Sequence, residues 1–372
     1  ELNRARNWQD FRAALSQSPG PCMNFIYADR AGNIGSQVAG LVPLRVGFDG
    51  GVPLDGASGA FEWRGFLPFD QLPSTFNPSS GLVVYANGDP FPQGASAAVP
   101  GGFHSPYRER RIRARIESRR NWTAGDMLSI QTDVYSSFSH FLARQVLAAC
   151  ARHGHERPAL GPAAEILRRW DGRMEADAAA PMLAELLYQH LRTAIGNRAS
   201  PGRGLLYQSR SAATAVERLL AERPAGWFDD YDRLLLDCLQ DAIDEGRRMQ
   251  GQDLARWRYG RMNLLHLRNR VAGQLPLVGK YFNAGPQPMS GSSETVNMIL
   301  REEQLIGPSM RMIIDLGDFD RSQAVLTLGQ SGQVLSRHYK DHWRAYIEGR
   351  GLPMPFYKVE GKETLVFMPE AD

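Results

Sequence analysis

Apolar positions change their period along this chain, and each change predicts a different kind of element. Trp8, Phe11 and Leu15 recur at helical spacing, and "SPGP" at 18–21 ends that helix before "CMNFIYADRAGNIGSQVAG". That stretch predicts a strand, a turn at Asp29 to Asn33, and a second strand. The next segment, "FDGGVPLDGASGAFEWRGFLPFDQLPSTFNPSSG", is rich in Gly and Pro yet full of aromatics, the composition of an ordered wrapping loop. It leads into a strand opening at Leu82 within "GLVVYANGDP", where Asn87-Gly88 predicts a chain reversal because both residues tolerate positive φ.

From about Thr123 to about Met249 the period becomes helical. Thr123 and Asp126 have the spacing of a capping box, and the pattern continues through "MLSIQTDVYSSFSHFLARQVLAAC". Further helices are predicted at "AAEILRRWDG", "APMLAELLYQHLRTAI", "SAATAVERLLAE" and "YDRLLLDCLQDAIDEGRRM". Beyond Leu275 short strands and turns return, with a last helix beginning near His338. The expected class is α+β: residues 1–103 and 261–372 form two halves of one body, and 104–260 is a helical insertion between them.

Composition narrows the function classes more than it names one. The chain has 372 residues, 43% hydrophobic and 22% charged, enough for a large core in one domain or two. A net charge of +3 supplies no global field for nucleic acid. The arginine run "RERRIRARIESRR" at 108–120 lacks interleaved aromatics and reads as the solvated face of a helix. Cys22, Cys150 and Cys238 have no metal-ligand spacing and read as small buried thiols. No window approaches eighteen apolar residues, so no membrane span is predicted. "ELNRARNWQDFRAALSQ" has no initiator Met and starts inside an amphipathic helix, which reads as an internal start.

Searching for catalytic constellations leaves gaps. "GQSGQ" has neither a GxGxxG pattern nor a phosphate-loop lysine. "HGH" at 153–155 reads as a polar interhelix loop, and His338 with His342 forms an i, i+4 pair on a predicted helix without a third ligand. GxSxG is absent, so Ser331 has a weak claim as a nucleophile. These residues on their own name no reaction.

Longer ordered motifs carry more. "NWQDFRAAL…MNFIYADRAGNIG", "GLVPLR", "FEWRGFLPFDQLPSTFNPSSG", the Asn87 segment, "WDG" at 170–172, "MRMIIDLGD" at 310–318 and "GQSGQVLSRHYKDHW" at 329–343 follow one another along the chain. Together they resemble the β chain of the penicillin acylase family of N-terminal-nucleophile hydrolases, in its C-terminal portion. The resemblance implies part of a four-layer αββα sandwich and a precursor that cuts itself into α and β chains. It also implies a nucleophile, usually Ser, at the start of the β chain, activated by its own α-amino group. An α-amine titrates near neutrality, so no neighbouring His is needed. Glu1 is not such a nucleophile, so the resemblance places it on a companion chain from the same precursor.

The same resemblance implies site residues. Asn87 matches an asparagine whose side-chain amide holds the tetrahedral oxyanion, Met23 matches a position lining the acyl pocket, and Arg108 matches an arginine that helps position substrate. No cofactor is required. A structural calcium is left open: the family's carboxylate after the Asn segment is replaced here by "QGASAAVPGG", with Asp49 or Asp89 as substitutes. The implied activity is cleavage of an N-acyl group from a β-lactam, an acyl-homoserine lactone or an acylated peptide metabolite. The alternatives are an acyl transferase of the same fold and a catalytically inactive binding member. Neither nucleic acid nor a membrane span is implied. The family suggests a periplasmic or secreted location, and the residues leave a cytoplasmic one open.

Overall fold

Helix α1 (Trp8–Leu15) starts where the Asn7 side chain accepts from the Asp10 N–H. In the computed structural model, residues 1–91, 103–204, 212–301, 305–361, 366 and 368 are described. Trp8 packs against Phe11, Tyr27 and Phe76, which ties α1 to the first sheet. Strands β1 (Met23–Ala28) and β2 (Ile34–Ala39) pair antiparallel from Met23 on Ala39 to Ala28 on Ile34. Their connection is the predicted turn: the Asp29 carboxylate accepts from the Asn33 N–H at 3.0 Å and from its side-chain amide at 2.8 Å. Strands β3 (Pro43–Arg45) and β4 (Trp63–Phe66) form a separate ribbon across the wrapping segment, and β5 (Ser74–Phe76) adds to β2.

The strand expected at Leu82 differs. Residues 82–85 have no ladder partner among the described residues, so "LVVY" runs without a sheet. The reversal itself is present, since Asn87 has φ +63° and its carbonyl accepts from the His104 N–H at 2.8 Å.

Seven helices follow: α2 (Tyr107–Glu117), α3 (Ala124–Gln131), α4 (Ser137–His153), α5 (Gly161–Arg168), α6 (Ala180–Ala199), α7 (Ala212–Glu222) and α8 (Tyr231–Gln250). The capping box at Thr123 and Asp126 is formed. The long helical pattern after it is broken at 132–136, where Asp133 accepts from the Tyr135 N–H and Ser136 caps α4. Helices α4, α6 and α8 enclose the main core around Leu142, Leu183, Leu187, Leu235, Leu239 and Trp257, all fully buried.

The arginine run is not simply a solvated face. Positions 108, 111 and 115 share one side of α2 and point into the protein. Arg111 and Arg115 both donate to the buried Asp133 carboxylate, at 2.7 and 3.1 Å. Only its other side, including Arg110, faces solvent.

The chain then returns to strands: β6 (Leu264–Leu267), short helix α9 (Gly279–Phe282), β7 (Ala284–Pro288), β8 (Leu300–Arg301), β9 (Leu305–Ile306), β10 (Met310–Ile313) and β11 (Gln323–Leu326). Helix α10 (Trp343–Ile347) and β12 (Leu352–Pro353) complete the order. Strands β10, β11 and β12 make a three-stranded antiparallel sheet, and β6–β7 and β8–β9 are two-stranded. The last helix starts at Trp343 rather than near His338, so the two histidines are not an i, i+4 helical pair. His338 instead pairs with Asp341 at 2.7 Å, and the His342 ring accepts from the Leu326 N–H at 3.1 Å. Cys238 is buried as expected and Cys150 is half-buried, but Cys22 is exposed just before β1. No helix among the described residues is long and apolar enough to cross a membrane.

Candidate active site

Asn87 follows an apolar run and sits in left-handed backbone, a conformation open to Asn at small cost. That geometry turns its side chain out of the run and leaves it exposed. Helix α2 begins at Tyr107, and its second residue, Arg108, lies only 8% exposed beneath the turn. The Arg108 Nη2 donates to Ala86 O at 2.9 Å and to Asn87 Oδ1 at 3.0 Å. A guanidinium only donates, so it fixes which end of the Asn87 amide faces it. The oxygen is held inward and the Nδ2 protons face away from Arg108. This arrangement can present an oriented N–H donor to a negatively charged oxygen, which is the chemistry an oxyanion hole needs.

The surroundings tune this pair. Burial lowers the proton affinity of the Arg108 guanidinium, and the Glu294 carboxylate and Tyr85 oppose that effect. Glu294 is itself nearly enclosed, and burial raises its carboxyl to about 7; Arg108 and the Ser293 hydroxyl act against the rise and Glu185 adds to it. Arg108 Nε is buried and has no hydrogen-bond partner among the described residues. Next to Arg108, Tyr107 donates to Glu217 Oε2 at 2.5 Å and so ties the start of α2 to α7. A Cβ on Gly88 would meet Glu109 Oε2 at 3.2 Å, so the α2 carboxylate closes over the residue after Asn87.

The structure therefore brings Asn87 and Arg108 into direct contact. Met23 stands 47% exposed at the start of β1, opposite Ala39 in the register. Its neighbour Cys22 is near enough to influence Tyr85, whose phenol is raised by burial first and then by Glu109, Cys22 and Asp89. Glu294 was not legible as a member of this group: "SGSSETVN" reads as a polar loop.

The residues considered for calcium serve local turns. Asp49 accepts from the Gly51 N–H at 2.7 Å and Asp89 from the Phe91 N–H at 2.9 Å. The replaced segment "QGASAAVPGG" lies outside the described residues. Among those described, no group of three or more His, Cys, Asp or Glu side chains can hold a metal ion.

Known proteins share both sequence and fold with this chain. It is 27% identical over 347 residues to the penicillin acylase 2 proenzyme of Pseudomonas sp. strain SE83, covering 89% of this chain and 44% of that protein. It is 26% identical over 410 aligned positions to the acyl-homoserine lactone acylase QuiP of Pseudomonas syringae pv. syringae strain B728a, covering 99% of this chain and 49% of that protein. The chain thus spans about half the length of the curated relatives it matches. The solved structure of a thermostable penicillin G acylase from Alcaligenes faecalis superposes with a TM-score of 0.70 at 18% identity, over 100% of this chain and 72% of that one. Such a superposition establishes a common α+β fold. The family description "Penicillin amidase" matches residues 1–363, nearly the full length, and with it the ordered motifs, the fold and the relatives agree: this chain belongs to the penicillin amidase family.

Proposed function

We propose that this chain forms part of an amide hydrolase that removes an N-acyl group through an acyl-enzyme. The nucleophile is an N-terminal Ser on a companion segment, with its own α-amine as base, so the reading needs no cofactor. The companion reading draws on the relative's description as a proenzyme and on the sheet edges left without a partner strand among the described residues. Asn87 donates to the oxyanion of the tetrahedral intermediate, Arg108 orients Asn87 and helps position the substrate, and Met23 lines the acyl side. Substrates of the class cleaved are acylated β-lactams, acyl-homoserine lactones and acylated peptide metabolites, in a periplasmic or secreted setting.

The observation that carries this reading is the hydrogen bond from Arg108 Nη2 to Asn87 Oδ1, which aims the amide N–H outward from an exposed turn. Any exposed N–H can donate to water, so the fixed orientation, rather than the exposure, supports a catalytic role.

A panel of acylated chromogenic amides, assayed with the companion segment present, tests the activity; no turnover on any of them would overturn the reading. Asn87→Ala is expected to lower kcat by about 10²–10³ while the protein still assembles. Because Ala is strained at φ +63°, Asn87→Asp is run beside it: it keeps the shape and still accepts from Arg108, but it replaces the N–H donor with a carboxylate oxygen whose charge repels an oxyanion. It is expected to lose a comparable share of kcat.

A further inference from the structure

Helix α2 carries Arg108, yet it has little apolar surface with which to seat itself. Along its length Tyr107 and Arg108 are the buried residues, and its N-cap, Pro106, supplies no side-chain hydrogen bond. A helix normally takes its rotation from an apolar stripe pressed on the core. In α2 that task falls to polar contacts.

Those contacts converge on Asp133, whose side chain is fully buried. Its Oδ2 accepts from Arg111 Nε at 3.1 Å, from Arg111 Nη2 at 2.7 Å and from Arg115 Nη1 at 3.1 Å. Its Oδ1 accepts from the Tyr135 N–H at 2.8 Å. The Arg111 guanidinium also lies over the Tyr135 ring, 4.5 Å from its centroid, and Arg115 Nη2 donates to Ser129 Oγ at 3.3 Å. Asp133 has a fixed place of its own. Its N–H donates to Ile130 O at 3.1 Å, and its carbonyl accepts from the Asn297 N–H at 2.9 Å. The acid is thus held between the end of α3 and the segment that joins β7 to β8, and from there it grips α2.

We infer that Asp133 is a positioning residue: it fixes the rotation of α2 about its axis, and with it the reach of Arg108 to Asn87. Positions 111 and 115 lie three and seven residues after 108, so the three side chains leave the helix within about 60° of one another. A slip of one residue would turn that face by about 100° and shift it by about 1.5 Å. The 3.0 Å bond from Arg108 Nη2 to Asn87 Oδ1 does not survive such a change. Two arginines on successive turns, both held by one carboxylate, oppose rotation and sliding together. The contact at the start of the helix, Tyr107 on Glu217, leaves it free to pivot. A buried ion pair adds little net stability over an apolar contact, so its use here is to specify one arrangement of α2.

The kinetic part of the inference rests on the proposed acylase reading, and the test separates the two. In the assembled protein, Asp133→Asn keeps the shape and removes the charge, while Arg111 and Arg115, with side chains 26% and 30% exposed, can turn to water. It is expected to lower kcat about tenfold with KM changed less than about twofold, the pattern of an interaction that matters in the transition state. Asp133→Glu keeps the charge but lengthens the arm by a methylene, so it is expected to leave most of that loss in place. Because Asp133 acts through Arg108, adding Arg108→Lys to Asp133→Asn should lower kcat less than about twofold further. Losses that multiply in the double variant, or parental kcat in either single variant at 133, would reduce Asp133 to a structural role.

If the parent protein turns over no amide, the acylase reading fails and the geometry still decides the inference. A crystal structure of Asp133→Asn should show α2 rotated and Arg108 Nη2 withdrawn from Asn87 Oδ1, and an intact 3.0 Å bond there would overturn it. Should Asp133→Asn fail to fold, the same comparison made on Asp133→Glu decides: α2 displaced with Arg108 off Asn87 supports the inference, and the bond retained overturns it.

Discussion

At the scale of single residues, the informative pair is Asn87 and Arg108, twenty-one positions apart in sequence and joined by one hydrogen bond. Arg108 places a single nitrogen between two acceptors, which depends on the planar reach of a guanidinium. Lysine offers a point charge on a flexible stem and prefers to be hydrated. Arg108→Lys is therefore expected to lower kcat about tenfold, with a smaller effect on KM, in assays of the assembled protein. Full activity in that variant would show that any cation at 108 suffices. The reversal at Asn87 was legible because Asn-Gly after an apolar run marks a turn. Arg108 was half legible. The resemblance named it, but the run it opens looks like a charged helix face, and only the packing of α2 turns positions 108, 111 and 115 inward.

At the scale of elements, helices α5 to α8 lie close to where the apolar period put them. Each has a core-facing stripe wide enough to be read without its partners. What the stripe does not report is how closely a neighbour approaches. Gly246 lies within α8 and is buried, and a Cβ there would come within 2.3 Å of Trp257 Cη2. By helix propensity alone Gly246→Ala adds about 1 kcal/mol of stability. Trp257 is fully buried and has no room to yield, so overpacking of about 2–3 kcal/mol outweighs that gain. A lower urea midpoint for Gly246→Ala is the expected result, and an equal or higher one would show that the indole relocates. The break at 132–136 and the late start of α10 were missed for a related reason. Both are set by side chains that find partners far away: Asp133 on α2, and His342, which caps the Leu326 N–H.

At the scale of the whole molecule, the helical part and the sheets differ in self-sufficiency. The helices share one large core, whereas the two sheet regions bury only small clusters, one around Leu265, Val325 and Tyr346 and another around Val38, Val42 and Leu72. Their outer faces keep Ile26, Trp63, Met310 and Met312 exposed, and among the described residues each sheet has two or three strands. Short sheets with open edges and apolar faces seek further strands. Expressed alone, the chain is expected to self-associate, and coexpression with the proposed companion segment should give a discrete complex by size-exclusion chromatography with light scattering. A monodisperse monomer from the chain alone would contradict this account.

The sequence by itself determined the α+β class, helices α5 to α8, the first hairpin with its Asp29–Asn33 turn, and the family. Each of these rests on local periodicity, on turn chemistry or on long ordered motifs. The tertiary structure alone decided that Arg108 lies beneath Asn87, that Asp133 gathers two arginines, and that Glu294 is buried. The physical reason is that burial of a charge depends on which elements pack over it. That is a property of distant segments brought together, and no local pattern of polar and apolar residues encodes it.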